Sequence, residues 1–279
     1  HYGEIFKAKD SAIITQRALA VNIIDQDSLY IHADTLIATG SDEKKILRGY
    51  YDVRIFKTDL RGKSDSLHLD QSTGLIKLLK LPLSRKENQI LTASQKNKKN
   101  PILWFGKSQM SGDKIFLTSD MQTKKLDSLK IIGNSWIIER DSISDTGFNQ
   151  IKGGVLDGLF KEGELREIDV SKNTEVVYYM YSDEDNELIG IDKTTCSRLK
   201  MVTRENQIED ITFFVSPDGN LFPDKDLPLN ERKLEGFTWR VDERPNTIQE
   251  LFSEEDNQFQ PTEIRKVSIP EDFQQKIEE

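Results

Sequence analysis

Three aspartates, Asp34, Asp65 and Asp113, stand at like positions in a recurring phrase of the sequence. In each copy a small or acidic residue precedes an aliphatic residue by two places, and Gly154 holds that place in a fourth copy. Paired carboxylates serve glycoside hydrolases as acid and as nucleophile or base. An aspartate that recurs at strand edges is more often a turn residue that accepts backbone N–H groups. We therefore expect structural aspartates, and an enzyme that uses Asp34 and Asp113 remains an alternative.

Other motifs for catalysis and metal binding are incomplete. The Gly-Lys-Ser triplets at 62–64 and 106–108 resemble the end of a phosphate-binding loop, but Lys57 and Pro101 replace the first glycine of that loop. The three histidines have no metal-ligand spacing, and the single cysteine, Cys196, can form no internal disulfide. The sequence predicts no catalytic residue, no metal site and no cofactor.

Composition narrows the class of protein. The 279 residues are 36% apolar and 31% charged, with a mean hydropathy of -0.58. The net charge of -9 and the pI of about 5.1 give no basic footprint for nucleic acid. No apolar run approaches the roughly 20 residues that a membrane-spanning helix needs. A globular protein with much exposed strand surface fits these values.

Apolar residues alternate with polar ones along much of the chain, which is typical of half-buried strands. The stretch "DSLKIIGNSWIIERD" at 127–141 alternates, pauses at Gly-Asn-Ser and alternates again, and 165–183 repeats this pattern around Ser-Lys-Asn. We interpret each stretch as two strands joined by a turn. Units of this kind cannot cover their own apolar face, so the sequence predicts an all-β fold of repeated strand units with a shared core.

The repeated phrase sets the expected domain organisation. Its four copies are spaced by 31, 48 and 41 residues, and the Lys- and Asn-rich stretch 84–101 reads as a surface loop that lengthens the second unit. Residues 1–245 are expected to form the β domain, as one long unit or two with a division near 100. Residues 246–279 are expected to form an acidic tail that is irregular or has a short helix, capped by Thr247 with Glu250 three residues later.

Four phrases, "DSLYIHADTL" (27–36), "NPILWFGKSQMSGDKI" (100–115), "DTGFNQIKG" (145–153) and "ITFFVSPDGNLFP" (211–223), resemble the OstA-like proteins of Bacteroidetes-type bacteria. These proteins are related to the LptA, LptC and LptD N-terminal group of lipopolysaccharide transport. The resemblance implies a twisted antiparallel β-jelly-roll, also described as a β-taco, whose apolar groove holds the acyl chains of lipid A. It implies further that the open ends stack on other Lpt jelly-roll proteins or on a second copy.

The resemblance also implies a periplasmic protein without catalytic activity, and the leader peptide of such a protein is expected to be absent from this sequence. Physical chemistry agrees with a conduit, because an aliphatic groove holds acyl chains without directional bonds and lets them slide. The apolar row of the repeats supplies the expected groove lining: Ile31, Leu36, Leu67, Met110, Ile115, Leu117, Leu129, Ile131, Trp136, Ile138, Leu156, Ile168, Val170, Val176, Tyr178, Leu199, Met201, Ile211 and Phe213.

Two alternatives to the lipid conduit remain open at the level of sequence. The first is an assembly module in which the apolar row is entirely core. The second is a polysaccharide-active β-solenoid enzyme, which requires two carboxyl groups within about 5–10 Å of each other.

Overall fold

The computed structural model describes residues 2–6, 10–24, 27–41, 44–144, 146–182, 184–204, 207–254 and 256. The described chain is an all-β, antiparallel jelly-roll, as the sequence predicts. Two short helices, α1 (Arg85–Ile90) and α2 (Ala93–Asn97), lie between strands β6 and β7. The strands are β1 (Tyr2–Phe6), β2 (Ser11–Ile24), β3 (Asp27–Thr39), β4 (Ile46–Phe56), β5 (Leu60–Asp70), β6 (Leu75–Leu79), β7 (Ile102–Phe105), β8 (Ser108–Ser111), β9 (Lys114–Ser119), β10 (Leu126–Arg140), β11 (Phe148–Lys161), β12 (Glu164–Tyr181), β13 (Leu188–Arg204), β14 (Gln207–Phe214) and β15 (Asp218–Phe222).

The strands follow one another as a meander, and three pairs of shorter strands each share one long neighbour. Strands β6 and β7 pair with successive parts of β5, while β8 and β9 pair with successive parts of β10. Strands β14 and β15 pair in the same way with β13. We call the level of β7, β8 and β15 layer A and the level of β6, β9 and β14 layer B; each long strand runs through both.

Pairs of residues with positive φ mark the corner between the layers. Gly133 (φ 77) and Asn134 (φ 45) interrupt the regular pairing of β10, and Lys172 (φ 68) and Asn173 (φ 57) do the same in β12. Such bulges bend a strand and let it pass from one layer to the next. The stretches 127–141 and 165–183 are therefore single bent strands, and the interpretation of each as two strands joined by a turn was wrong.

The recurring phrase of the sequence occupies the other side of these bulges. Asp34 is the one residue of β3 that lies opposite the positive-φ pair of β2, and Asp65 is the one residue of β5 that lies opposite the pair of β4. The N–H of Asp113 donates to the carbonyl of Gly133 at 2.7 Å. A Cβ added to Gly154 would lie 2.8 Å from the Cβ of Lys172 across the corner. The phrase thus marks places where a strand turns the corner.

The interior of the fold is one apolar cluster that joins both layers. The positive-φ pair of β12 preserves the alternation of that strand, so Ile168 and Val170 before the corner and Val176 after it all point into the cluster. Each large aliphatic side chain buried there contributes about 1.5–3 kcal/mol. Because one continuous set of side chains serves both layers, the layers must face each other across this interior.

Residues 223–254, together with Asp256, form an extended segment across the outer face of layer A, which we call the strap. It contains 3-10 turns at Asp224–Asp226, Leu229–Glu231, Val241–Glu243 and Gln249–Leu251. Arg61 Nε donates to the carbonyl of Pro245 at 3.0 Å, and Nε2 of His32 lies 3.3 Å from Oδ2 of Asp256. The described part of the predicted acidic tail therefore packs on the sheet, while 257–279 lie outside the described residues.

Two buried glutamines hold the strap. Nε2 of Gln109 donates to the carbonyl of Thr238 at 2.7 Å, and its Oε1 accepts from the N–H of Arg240 at 2.7 Å. Gln150 lies in the same row of the sheet. Its Nε2 donates to the carbonyl of Arg232, and its Oε1 accepts from the N–H of Leu234. Both side chains are fully buried, so their amides replace the backbone partners that a neighbouring strand would supply.

The stretch 84–101, expected as a surface loop, does interrupt the strand order, but it contains α1 and α2 and contacts the strap. Ser84 and Thr92 form capping boxes that begin the two helices. Oγ of Ser94 donates to the carbonyl of Phe237, and Nδ2 of Asn97 donates to that of Gly236. The insertion thus helps to fix the strap on layer A.

Candidate functional site

The candidate site is the apolar interior between the layers, which we call the groove. Of the predicted lining residues, Tyr178, Ile211 and Phe213 are half-buried beside the main cluster. The others that belong to this cluster are at most 3% exposed, and they are Ile31, Leu36, Leu67, Met110, Ile115, Leu117, Leu129, Ile131, Leu156, Ile168, Val170, Val176, Leu199 and Met201.

Trp136 and Ile138 depart from the expected lining. Leu129, Ile131 and Ile137 are separated by even numbers of residues and all belong to the main cluster, so β10 keeps its alternation through the bulge at Gly133 and Asn134. The two neighbours of Ile137 therefore point to the opposite face. Both side chains are buried there, at 2% and 1% exposure. They lie on the outer face of layer A, where the strap runs, and we correct their assignment accordingly.

The larger cavity of the groove lies between turns of the two layers and has a volume of about 530 Å³. Leu60, at the β4–β5 turn, lines it from layer A, and Leu126, at the β9–β10 turn, lines it from layer B. Leu29 and Ile76 complete its apolar wall. Because the β4–β5 turn lies at the layer A end of its strands and the β9–β10 turn at the layer B end, the cavity is the open side of the folded sheet.

The rim of this cavity carries charges of both signs. Nζ of Lys57 lies 2.6 Å from Oδ1 of Asp59 and 3.4 Å from Oδ2 of Asp27. Burial opposes ionisation of Asp27, but hydrogen bonds from Ser28 and Thr58 outweigh it and lower the pKa of this carboxyl. The remaining charged residues of the rim are Lys124, Lys125, Glu162 and Glu164.

A smaller cavity of about 60 Å³ lies further along the same opening. Phe105, Ile137 and Ile151 line it from layer A, and Leu165 and Met201 belong to its layer B wall. Apolar side chains form the larger part of this wall, and its polar residues are Lys107, Ser108, Glu139, Asn149, Tyr178 and Thr203.

Polar residues mark the layer A edge of the smaller cavity. Oγ of Ser108 donates to Oε2 of Glu139 at 2.7 Å. Burial, with the nearby carboxylates of Glu139 and Asp141, raises the pKa of Tyr178, so this hydroxyl stays protonated at neutral pH. The groove is therefore apolar inside and polar only along its opening.

Several residues of the two cavities were missed by the sequence analysis. Leu29 lies two places before Ile31 on the same face of β3, so a longer alternation would have found it. Ile137 continues the alternation of Leu129 and Ile131, and the interpretation of Gly-Asn-Ser as a turn between two strands hid this. Phe105, Leu60 and Leu165 lie at strand ends, where alternation gives no signal.

The sequence motifs for catalysis lie elsewhere and apart. Asp34 is exposed at the corner of β3, and Asp113 pairs with Lys80 at 2.5 Å at the corner beside β10. Four strand spacings separate the two aspartates, which is about 19 Å and well beyond the reach of a glycosidase pair. Among the described residues, no group of His, Cys, Asp and Glu has the arrangement of a metal site.

In the part of the chain that the structure describes, no helix is long and apolar enough to cross a membrane. The protein-family models contain no match to this sequence. The curated proteins contain no significant match either. Among solved structures, the chain is similar to LptH from Pseudomonas aeruginosa, described as the LptA homologous periplasmic component of the lipopolysaccharide transport device. The similarity has a TM-score of 0.40 at 10% identity and covers 59% of this chain and 95% of that chain.

Proposed function

We propose that the protein is a periplasmic carrier of lipopolysaccharide that holds acyl chains in the groove between layers A and B. The observation that supports this most directly is the folded sheet itself. One apolar cluster lines both layers, and it opens along one side into cavities of about 530 and 60 Å³. The resemblance of four sequence phrases to OstA-like proteins supplies the class of lipid.

The chemistry of the groove suits acyl chains. Its walls are aliphatic and aromatic, so a chain gains about 25 cal/mol per Å² of buried apolar area and forms no directional bond that fixes one position. Charged residues stand only at the rim, where a head group stays in contact with water. A ligand held in this way can slide along the groove, as a conduit requires.

The edges of the sheet support assembly into a longer conduit. Within the described residues, β1 pairs only with β2, and β14 and β15 pair only with β13. Edge strands of this kind present unpaired backbone groups that accept a strand from another chain. We propose that other Lpt jelly-roll proteins or a second copy of this chain bind there.

Site-specific photo-crosslinking tests the lipid proposal. A photoreactive residue at Leu126, in the wall of the larger cavity, is expected to crosslink to added lipopolysaccharide. The same residue at Lys130, which is half-exposed on the outer face of the same strand, serves as the matched control. Equal crosslinking at the two positions, or none at Leu126, would contradict the proposal.

An assembly module with a solid core is the second candidate, and the close packing of the interior favours it. Ile31, Ile115, Ile131 and Leu199 have no exposed surface, so much of the groove is closed in this conformation. A carrier must part its layers to load, whereas a module need not. Binding of lipopolysaccharide at Leu126 separates the two functions.

A further inference from the structure

An aromatic contact between Phe105 and Phe160 lies between residues that line the two cavities of the groove. We propose that these rings form a gate that limits how far an unbranched alkyl chain penetrates from the larger cavity into the smaller one. The inference rests on the proposed lipid-binding function and adds to it a determinant of chain length.

The two rings meet across the opening of the groove. Phe105 is the last residue of β7 in layer A, and Phe160 lies near the end of β11 in layer B. Their centroids are 5.5 Å apart, and the ring planes are inclined at 86°. This is the edge-to-face arrangement that aromatic pairs prefer.

The position of the pair follows from the strand register. Phe105 lines the smaller cavity, while Leu60, its register partner on β5, lines the larger one. Phe160 has Leu165 as its partner on β12, and Leu165 lines the smaller cavity. The β11–β12 hairpin joins Phe160 to Leu165, and its Gly163 lines the larger cavity. The register therefore places the ring pair between the two cavities.

The contact can open without breaking the sheet. Strand β7 pairs with β5 and β8 and makes no ladder with β11. At this point the layers meet through side chains alone, so rotation of one ring removes the barrier and breaks no backbone hydrogen bond. Phe105 is 9% exposed and Phe160 is half-buried, so both lie close to the opening where a chain arrives.

The walls on either side define the class of ligand. Leu29, Leu60, Ile76 and Leu126 surround the space before the gate, and Ile137 is among the aliphatic residues behind it. Unbranched alkyl chains fit such walls, and a carboxylate or phosphate head remains at the rim, where Lys124 and Lys125 form no salt bridge with any described residue. Fatty acids are therefore suitable probes.

Competition between fatty acids tests the gate. Octanoate, dodecanoate and hexadecanoate displace a dansyl-labelled undecanoate from the wild-type protein and from Phe160→Ala. We expect the variant to bind hexadecanoate about tenfold more tightly, which corresponds to about two further buried methylenes, and octanoate with unchanged affinity. Phe160→Leu keeps most of the buried volume, so a smaller gain for hexadecanoate is expected from a variant that disturbs the fold less.

Phe148→Ala is the matched control, because Phe148 makes a similar ring contact with Phe237 on the outer face, with centroids 5.1 Å apart. It is expected to leave the preference for chain length unchanged. If Phe160→Ala and Phe160→Leu bind the probe with the wild-type preference, the gate is refuted and the lipid-binding function stands. If none of the proteins binds the probe, both the gate and the proposed function are refuted.

Discussion

The outer faces of the two layers differ in polarity and in solvent exposure. Layer A buries Trp104 and Trp136 on its outer face, where the strap crosses. Layer B presents cross-strand ion pairs to solvent instead, such as Lys130 with Asp157 at 2.6 Å and Arg198 with Asp169 at 2.5 Å. Exposed pairs of this kind contribute little to stability, typically 1 kcal/mol or less.

This difference determines how much apolar surface each layer would expose if it moved. Layer A is packed on both faces, so moving it would expose two apolar surfaces. Layer B is packed only against the groove, so parting it from layer A exposes one. We therefore expect the layer without a strap to move if the groove loads a ligand, and Phe160 of the proposed gate belongs to it.

The largest effect is expected from the buried tryptophan beneath the strap. Trp136→Ala leaves a cavity between layer A and the strap and should lower the free energy of unfolding by about 3–5 kcal/mol. Urea denaturation measures this loss. Lys130→Ala on the outer face of layer B is the control and should change stability by no more than about 0.5 kcal/mol. Similar losses from both variants would remove the contrast between the layers.

A smaller effect is expected from the glutamine that holds the strap. Gln109→Leu leaves the carbonyl of Thr238 and the N–H of Arg240 unpaired, which costs about 1–3 kcal/mol. Hydrogen exchange of the Arg240 amide should accelerate, while amides of layer B keep their rates. Gln122→Leu, in the exposed β9–β10 hairpin, is the control. Unchanged exchange at Arg240 would show that the strap is held by its apolar contacts alone.

At acidic pH, protonation of Glu243 should weaken the attachment of the strap to layer A. Burial opposes ionisation of this carboxyl, but hydrogen bonds from Arg240 and Lys63 outweigh it and lower its pKa to about 2. A lowered pKa contributes stability above the unfolded value near 4.5, and this contribution is lost as the pH falls towards 2. Wild type should therefore be more stable than Glu243→Gln at neutral pH, and the difference measured by urea denaturation should shrink in this window. A constant difference would exclude this carboxyl as the cause.

The smallest effect is expected at the corner between the layers, and it is a gain. Val215 has a φ of 60° and is 67% exposed, so a β-branched residue is strained there without the benefit of burial. Val215→Asn should raise the free energy of unfolding by about 1 kcal/mol or less. Val21→Asn, at an exposed position within β2, is the control and should not stabilise. A loss of stability in Val215→Asn would mean that Val215 makes packing contacts across the corner.

The sequence predicted the all-β fold and most residues of the groove because alternation records which face of a strand is buried. It also marked the corner, since Asp34, Asp65, Asp113 and Gly154 each stand opposite a bulge or beside one. The nature of the corner was missed, because a positive-φ pair within one strand and a turn between two strands use the same residue types.

The strap and its contacts could not be predicted from any local pattern in the sequence. The strap has neither the period of a helix nor that of a strand, and its partners Gln109 and Gln150 are far away in sequence. Long-range contacts of this kind are set by topology, and no window of sequence contains both partners.

The strap also sets an order of events during biosynthesis. Arg54 donates to the carbonyl of Glu250 across 196 residues, and Arg61 donates to that of Pro245 across 184. Contacts this distant form late in folding, and the ribosome delivers the strap after all the strands that it crosses. Until the strap docks, the tryptophans of layer A remain an open apolar surface that chaperones can recognise. Docking of the strap removes that surface, so the same contact that completes the fold also ends its exposure to chaperones.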